Sequence, residues 1–411
     1  MCLLATAASL VVAGCGDGGD PAETATVAGP TLTIYTSMPF EGPDSAAARD
    51  VLRGEQLALR EAGGRVGRYG VELVPLDAAT EKENRWDPAQ ISENARRAAK
   101  DDSAIGYIGE FHSGSSAISI PLLNEVGLLE ISPTDSAEAL TQRTLAVPDS
   151  PVKYYPKARD LGRTFGRVVG NDRGQAAAQV AWMRREGVRR LFEVTDEDPV
   201  GAGFLMAMRP LLRAAGITTV GREDVDPHQP DPRDLVEKIA RADPDAVFYA
   251  GDSHEAVVRL WQDLSVADTG LKLFVPGSIA DPTFIEQIGA AAASTYVTRP
   301  LLGLRAYPPE AQRLAQRFAK EYGAAPLPEA LYGYEAMRAL LAAAQQAEEA
   351  AGEGPLERVA VRKAFFGLRR DGTVLGDYEI LPSGDTSLQR FGAFRIADGR
   401  LRYVAPLLGD S

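Results

Sequence analysis

The sequence predicts an α/β protein built from two doubly wound, Rossmann-like lobes. Three observations carry this. The chain has 411 residues, well beyond the roughly 100–200 of a typical domain. Strand-like, β-branched runs alternate with helix-like segments. That alternation comes in two stretches, the second beginning near Gly170, and such repeats bury their strands in parallel sheets.

In the first stretch, Thr31–Met38 reads as a strand that ends at Pro39 and Gly42-Pro43. Asp44 is placed to cap the next helix, where Val51, Leu52, Leu59 and Ala62 recur at near-helical spacing. Tyr69–Leu76 alternates as a strand. Asp87-Pro88 opens a helix to about Lys100, with proline where its missing N–H costs nothing. Ala104–Gly109, Ser115–Val126 and Leu128–Ser132 read as strand, helix and strand. The second stretch repeats the pattern: helix Gln175–Glu186, strand Arg190–Thr195, helix Gly203–Ala215, strand Thr218–Val225 and helix Arg233–Arg241. Strand Ala246–Ala250, helix Glu255–Leu264 and strand Leu271–Val275 follow. Helices near Pro309–Tyr322 and Leu327–Ala350 come next, then strand-like Asp377–Leu381, Phe391–Ile396 and Arg400–Val404.

Composition excludes several functions. A formal net charge of −13 argues against nucleic acid and against broad adhesion to an anionic membrane. The two cysteines are Cys2 and Cys15, so the folded part has no disulfide, thiol nucleophile or cysteine-bound metal. His112, His228 and His254 lie in separate loops without zinc-ligand spacing. Gly201-Ala202-Gly203 opens a helix but lacks the third glycine of a dinucleotide fingerprint, and no phosphate-binding Gly-Lys-Ser/Thr occurs. No Gly-x-Ser-x-Gly surrounds Ser113. The chain is expected to be neither an enzyme nor a cofactor or metal binder.

At the N-terminus, Leu3 to Gly14 is an apolar run too short to span a bilayer and suited to a signal peptide. It ends in Val12-Ala13-Gly14-Cys15, which resembles the lipobox of bacterial lipoproteins, so Cys15 is the expected lipidation site. Gly16 to Pro30 has almost no large apolar residues and reads as a tether.

Small polar residues collect after the strands. Ser113-Gly114-Ser115-Ser116 offers hydroxyls and helix-start N–H groups to a carboxylate or another polar acceptor. Thr134-Asp135-Ser136 follows the next strand, and Asp196-Glu197-Asp198, Gly251-Asp252-Ser253-His254 and Gly277-Ser278 follow strands of the second stretch. Each loop alone is as well explained as a helix cap. Together they sit where open α/β sheets bind ligands.

From Thr31 onward the chain resembles the type I periplasmic binding proteins, in the branch of the Leu/Ile/Val-binding proteins. The resemblance is carried by Met38–Pro43, Leu52–Leu59, Ala62-Gly63-Gly64, Ile105–Ser116 (IGYIGEFHSGSS), Gly127–Thr141 (GLLEISPTDSAEALT), Phe165–Gln175 and Val194–Gly203. It implies two lobes joined by a three-segment hinge, with crossings near Arg167, Thr298 and Gly372. The lobes would be 31–166 with 299–372, and 167–298 with 373–411. It implies that Ser113 binds a ligand carboxylate, with Asp135 and Ser136 where the family has Ala-Thr. Two positions depart from the family: Val200 replaces an aromatic residue, and Ser278 replaces the acid that holds a ligand ammonium. Asp135 is then expected to supply a counter-charge to a ligand amine, unless the solute is an amide, a urea-like compound or a small organic acid. The expected ligand residues are Phe40, Ser113, Gly114, Ser115, Asp135, Ser136, Asp196, Asp198, Tyr249, Asp252 and Ser278.

The function implied is an extracytoplasmic, lipid-anchored monomer. It would deliver a small polar solute to the permease subunits of an ABC importer. The alternative is a sensing subunit of the same fold, signalling to a membrane receptor.

Overall fold

A computed structural model describes residues 26–409 except 84, 197–198, 226–230, 252–253 and 268–269. Cys15, Asp198 and Asp252 therefore lie outside the described residues. The first lobe holds a six-stranded sheet ordered β2-β3-β1-β4-β5-β6. Its strands are β1 (Thr31–Met38), β2 (Arg65–Val66), β3 (Tyr69–Asp77), β4 (Ala104–Ile108), β5 (Leu129–Ser132) and β6 (Phe165–Arg167). All pairings are parallel except β2 with β3. Helices α1 (Ser45–Glu61), α2 (Pro88–Lys100), α3 (Ser113–Asn124) and the short α4 (Ala158–Leu161) connect them.

The second lobe holds a seven-stranded sheet ordered β15-β14-β11-β10-β9-β7-β8. Its strands are β7 (Arg190–Thr195), β8 (Thr218–Asp224), β9 (Ala246–Ala250), β10 (Lys272–Pro276), β11 (Thr295–Arg299), β14 (Arg390–Ala397) and β15 (Arg400–Leu408). Strands β7 to β11 pair in parallel, whereas β14 and β15 close the edge antiparallel. Helices α5 (Asp172–Arg185), α6 (Pro199–Ala214), α7 (Arg233–Ala242), α8 (His254–Ala267) and α9 (Pro282–Gln287) belong to this lobe. Helices α10 (Pro309–Tyr322), α11 (Glu329–Ala351) and α12 (Arg358–Phe365) return to the first lobe, followed by a hairpin of β12 (Arg369–Thr373) and β13 (Gly376–Glu379).

Local chemistry explains most boundaries. Asp87 accepts from the Ala89 and Gln90 amides and sets the start of α2, as its sequence position predicts. Asp44 does not cap α1; its carboxylate turns instead toward His112 and Arg85. The end of the expected tether is docked rather than loose. Val27 is buried in the first lobe's core, its amide bonds to Leu356 O at 2.8 Å, and Thr26 bridges Glu357. One apolar side chain and an extended backbone suffice to hold it.

The first lobe's core rests on the crossing of α1 and α11, where glycines meet backbone. A Cβ on Gly54 would overlap the Ala330 carbonyl oxygen, and one on Gly333 would overlap Val51 O. Buried Val51, Leu57, Leu331, Tyr334 and Met337 fill the space around them.

Strand β6 ends at Arg167 and α5 opens the second lobe; β11 ends at Arg299, and Leu301 and Leu302 re-enter the first core. The third crossing falls later than the expected Gly372, which is a turn residue inside the β12–β13 hairpin with φ 62°. Val374, Leu375, Tyr378 and Ile380 bury their side chains in the first core, so the chain joins the second sheet only at β14.

Gly54→Ala is expected to destabilise the chain by about 1–3 kcal/mol through overpacking against Ala330. Denaturant unfolding at neutral pH measures it; an unchanged midpoint would contradict the close crossing.

Candidate functional site

Parallel strands send their following loops to one edge, and the first lobe gathers four loops there. Asp77, at the end of β3, accepts from Phe40 N at 3.0 Å and Ala79 N at 2.9 Å, joining the first two loops. Asp44 lies 3.1 Å from His112 Nε2 and 3.7 Å from Arg85 Nε, tying in the third. Thr134 donates to Phe111 O at 2.8 Å, and Ser132 donates to Glu110 O at 2.8 Å, tying in the fourth.

At the centre is the start of α3. The amides of Ser115 and Ser116 bond to His112 O. Those of Ser113 and Gly114 precede the first helical bond, as in any helix start. Ser113 Oγ accepts from Ala137 N at 3.1 Å, leaving its own hydrogen available to a solute. Ser115 is buried, and its Oγ has no hydrogen-bond partner. Trp86 lies on this turn: a Cβ at Gly114 would come within 2.9 Å of its indole. Gly114 is thus what lets the half-buried ring approach the helix start.

The second lobe offers the opposite edge. Asp196 follows β7 and accepts from the Tyr249 hydroxyl at 2.9 Å. Tyr249 itself is fully buried in the core, so it positions Asp196 rather than lining a cleft. Ser278 is exposed after β10. The two edges approach at α6, where Ala146 of the first lobe lies 3.7 Å from the place a Gly203 Cβ would occupy.

The remaining expected residues divide. Phe40 is half-buried against the first core, and Ser136 is half-buried, its carbonyl accepting from Asp172 N at 2.7 Å. Asp135 overturns its expectation. It is 1% exposed, so it is not an open counter-charge facing a cleft. Its Oδ2 makes a close contact with Ser116 Oγ, which also meets Glu130 Oε1 at 3.2 Å.

This is part of a buried acid cluster that the motif reading did not single out. Glu110 accepts from Tyr107 at 2.5 Å and Ser37 at 2.9 Å, yet burial raises its carboxyl to about 8. Burial also raises Asp135 to about 7, against the opposing pull of Ser116 and Arg167, and pushes Glu130 well up. Alongside, Arg167 is wholly buried. It donates to Asp135 O at 2.8 Å, Ala137 O at 2.9 Å and Thr141 Oγ1 at 2.9 Å, and pairs with Asp385 at 3.1 Å. Sequence reasoning also passed over Trp86 and the Asp44–His112 pair; Glu110 stood three residues before Ser113, but nothing local marks it as buried.

These geometries define a class: a two-lobed α/β protein with loops gathered at the carboxyl ends of its strands. A periplasmic binding protein family model matches residues 32–399, and the chain belongs to that family. Proteins of the family are binding proteins of transporters, not enzymes, and membership implies an extracytoplasmic location. The Leu/Ile/Val-binding protein homolog 1 of Brucella melitensis is 26% identical over 379 residues, covering 91% of this chain and 93% of that one. An amino acid binding protein of Pseudomonas aeruginosa is 24% identical over 318 residues, covering 76% and 78%. Among solved structures, the leucine binding protein LivK of Thermotoga maritima has TM-score 0.73 at 22% identity, covering 92% and 99%. A solute binding protein of an R. palustris ABC transporter, in complex with benzoate, has TM-score 0.68 at 18% identity, covering 92% and 96%. At these identities the structures share the fold. Among the described residues no helix is long and apolar enough to cross a membrane, and no group of three or more acidic, His or Cys side chains is arranged for a metal.

The acid cluster sets a pH dependence. The folded values of Glu110 and Asp135, about 8 and about 7, lie above their ordinary 4.5 and 3.8. The folded state therefore holds more protons, and this contribution is present in acid and lost as pH rises from about 4 to about 8. Asp385 acts oppositely: Arg167 and its hydrogen-bond donors lower its carboxyl, and that contribution is lost only in stronger acid. The ligand-free chain is expected to melt at lower temperature at pH 8 than at pH 5, and Glu110→Gln to flatten the difference. Scanning calorimetry across that range checks it; a rise toward pH 8 would contradict the assignment.

Proposed function

We propose that this chain is the solute receptor of an ABC importer, closing its lobes around a small solute whose carboxylate sits at the start of α3. The observation that carries the reading is the convergence of Ser113, Gly114 and Trp86 on one helix turn at the strand-end edge of the first lobe. Unbonded amides at a helix start attract a carboxylate through both hydrogen bonds and the helix dipole. Phe40 and Trp86 supply an apolar wall beside it, and Ser136, Asp196 and Ser278 belong to the rims of the two lobes; Asp198 and Asp252 follow second-lobe strands in sequence. Names of relatives support amino acids, and structures with benzoate support aromatic acids, as solute classes for the fold. In this reading the lobes move as 31–166 with 300–388 and 168–298 with 390–409. Cys15 carries the lipid anchor, permease subunits receive the closed form, and the receptor works as a monomer.

Ser113→Ala is expected to weaken solute binding by about 1–3 kcal/mol with little change in thermal stability. Calorimetric titration of the soluble chain against amino acids, amides, urea-like compounds and benzoates measures it. Unchanged affinity would remove Ser113 from the site. The three tryptophans divide usefully here: Trp182 and Trp261 are buried in the second lobe, whereas Trp86 lies at the α3 start. Solute binding should therefore change tryptophan emission, and Trp86→Phe should abolish most of that change. A full signal in the variant would place the solute elsewhere.

A further inference from the structure

Ser116 has a single hydroxyl hydrogen, yet its Oγ meets three groups. The Glu110 amide donates to it at 3.2 Å, Glu130 Oε1 lies at 3.2 Å and Asp135 Oδ2 is closer still. The amide uses one lone pair, and the hydroxyl hydrogen satisfies one carboxyl oxygen. The other carboxyl oxygen would face a lone pair unless it carries a proton itself. Ser119 also donates to Glu130 Oε1 at 2.8 Å, but burial pushes the Glu130 carboxyl well up, so the two acids hold a proton between them rather than both ionising. The remaining oxygens, Asp135 Oδ1 and Glu130 Oε2, are buried without a hydrogen-bond partner, a further reason for the pair not to be doubly ionised.

We propose that the solute is bound as an anion together with a proton, held by Asp135 and Glu130 across Ser116 directly behind the turn that receives the solute. This rests on the reading of the α3 start as the carboxylate site. Buried, unpartnered Ser115 Oγ on that same turn is an independent sign that a polar ligand group completes it. The electrostatics are direct. An anion arriving one helical turn away makes ionisation of the pair costlier, so where the free pair is ionised binding takes up a proton from solvent. An amino acid presenting an ammonium toward Asp135 would do the reverse and release a proton. The charges around Asp135 come from every neighbouring element. Glu130 lies on β5, Glu110 follows β4, Arg167 ends β6 and Asp172 begins α5. His112, paired with Asp44, stands farther out at the head of α3.

The test is calorimetric titration of the wild-type chain with benzoate and with leucine, in buffers of different ionisation enthalpy, from pH 6 to pH 8. Benzoate is expected to bind with net proton uptake that is small at pH 6 and approaches one at pH 8. From an Asp135 value of about 7, its affinity should be about tenfold weaker at pH 8 than at pH 6. Asp135→Asn gives Ser116 a permanent N–H donor and should remove most of this pH dependence. Glu130→Gln is the second variant if Asp135→Asn fails to fold. Benzoate binding without proton uptake would overturn the coupling while leaving the carboxylate site standing. Persistence of the pH profile in Asp135→Asn would also overturn it. Leucine binding that strengthens with pH would overturn the choice of an anion over a zwitterion. If neither compound binds, the solute reading itself fails. The infrared band of a protonated carboxyl then decides the proton: its presence in the ligand-free wild type and loss in Asp135→Asn supports the shared proton, and its absence overturns it.

Discussion

The Arg167 guanidinium organises the junction of the two lobes. It ends β6, the last strand before the chain leaves the first lobe, and is completely buried. One side binds the carbonyls of Asp135 and Ala137, which fix the loop beside Ser113; another pairs with Asp385, just before the last crossing. Thr141 and Gln142 complete Asp385 at 2.8 Å each. A buried cation without such partners would be strongly unfavourable, so the loop and two of the three connecting segments must meet where they do. The second connection has its own pair, Arg299 of β11 with Glu329 of α11 at 2.7 Å.

The acid cluster follows from the same packing. The carbonyls that Arg167 draws in bring Asp135 beneath α3, where Ser116 and Glu130 already lie. Arg167 spends its hydrogen bonds on carbonyls and a hydroxyl and its ion pair on Asp385, so it does not neutralise the cluster by direct hydrogen bonding. The charge of the cluster is set by protons rather than by fixed ion pairs.

The alternation of strands and helices was legible because each element carries its own period and caps: Asp87-Pro88 marks α2, and the run Arg190–Thr195 is strand β7 to the residue. Short pieces escaped. Strand β6 has three residues and α12 eight, too few to show a period. The start of α3 as a candidate site rests on Ser113-Gly114-Ser115-Ser116, since hydroxyls and a strand-to-helix junction are local facts. The state of Asp135 was not legible. Its type and position suggested an open charge, but its burial depends on Ser116, Ser132 and Arg167, which only the fold assembles. Likewise Gly54 and Gly333 gave no hint of each other's helix, and the place of Gly372 in a hairpin rather than a crossing depends on where Tyr378 packs.

The strand order leaves free edges, and each is guarded against pairing with another molecule. At one side of the larger sheet, β8 carries Arg222, Glu223 and Asp224 in succession; at the other, β15 carries Arg400, Arg402 and Pro406. The smaller sheet ends in strands of two and three residues. Charged, proline-bearing or very short edges are poor templates for strand addition. Copies of the chain that collide are then poorly placed to zip into a fibre.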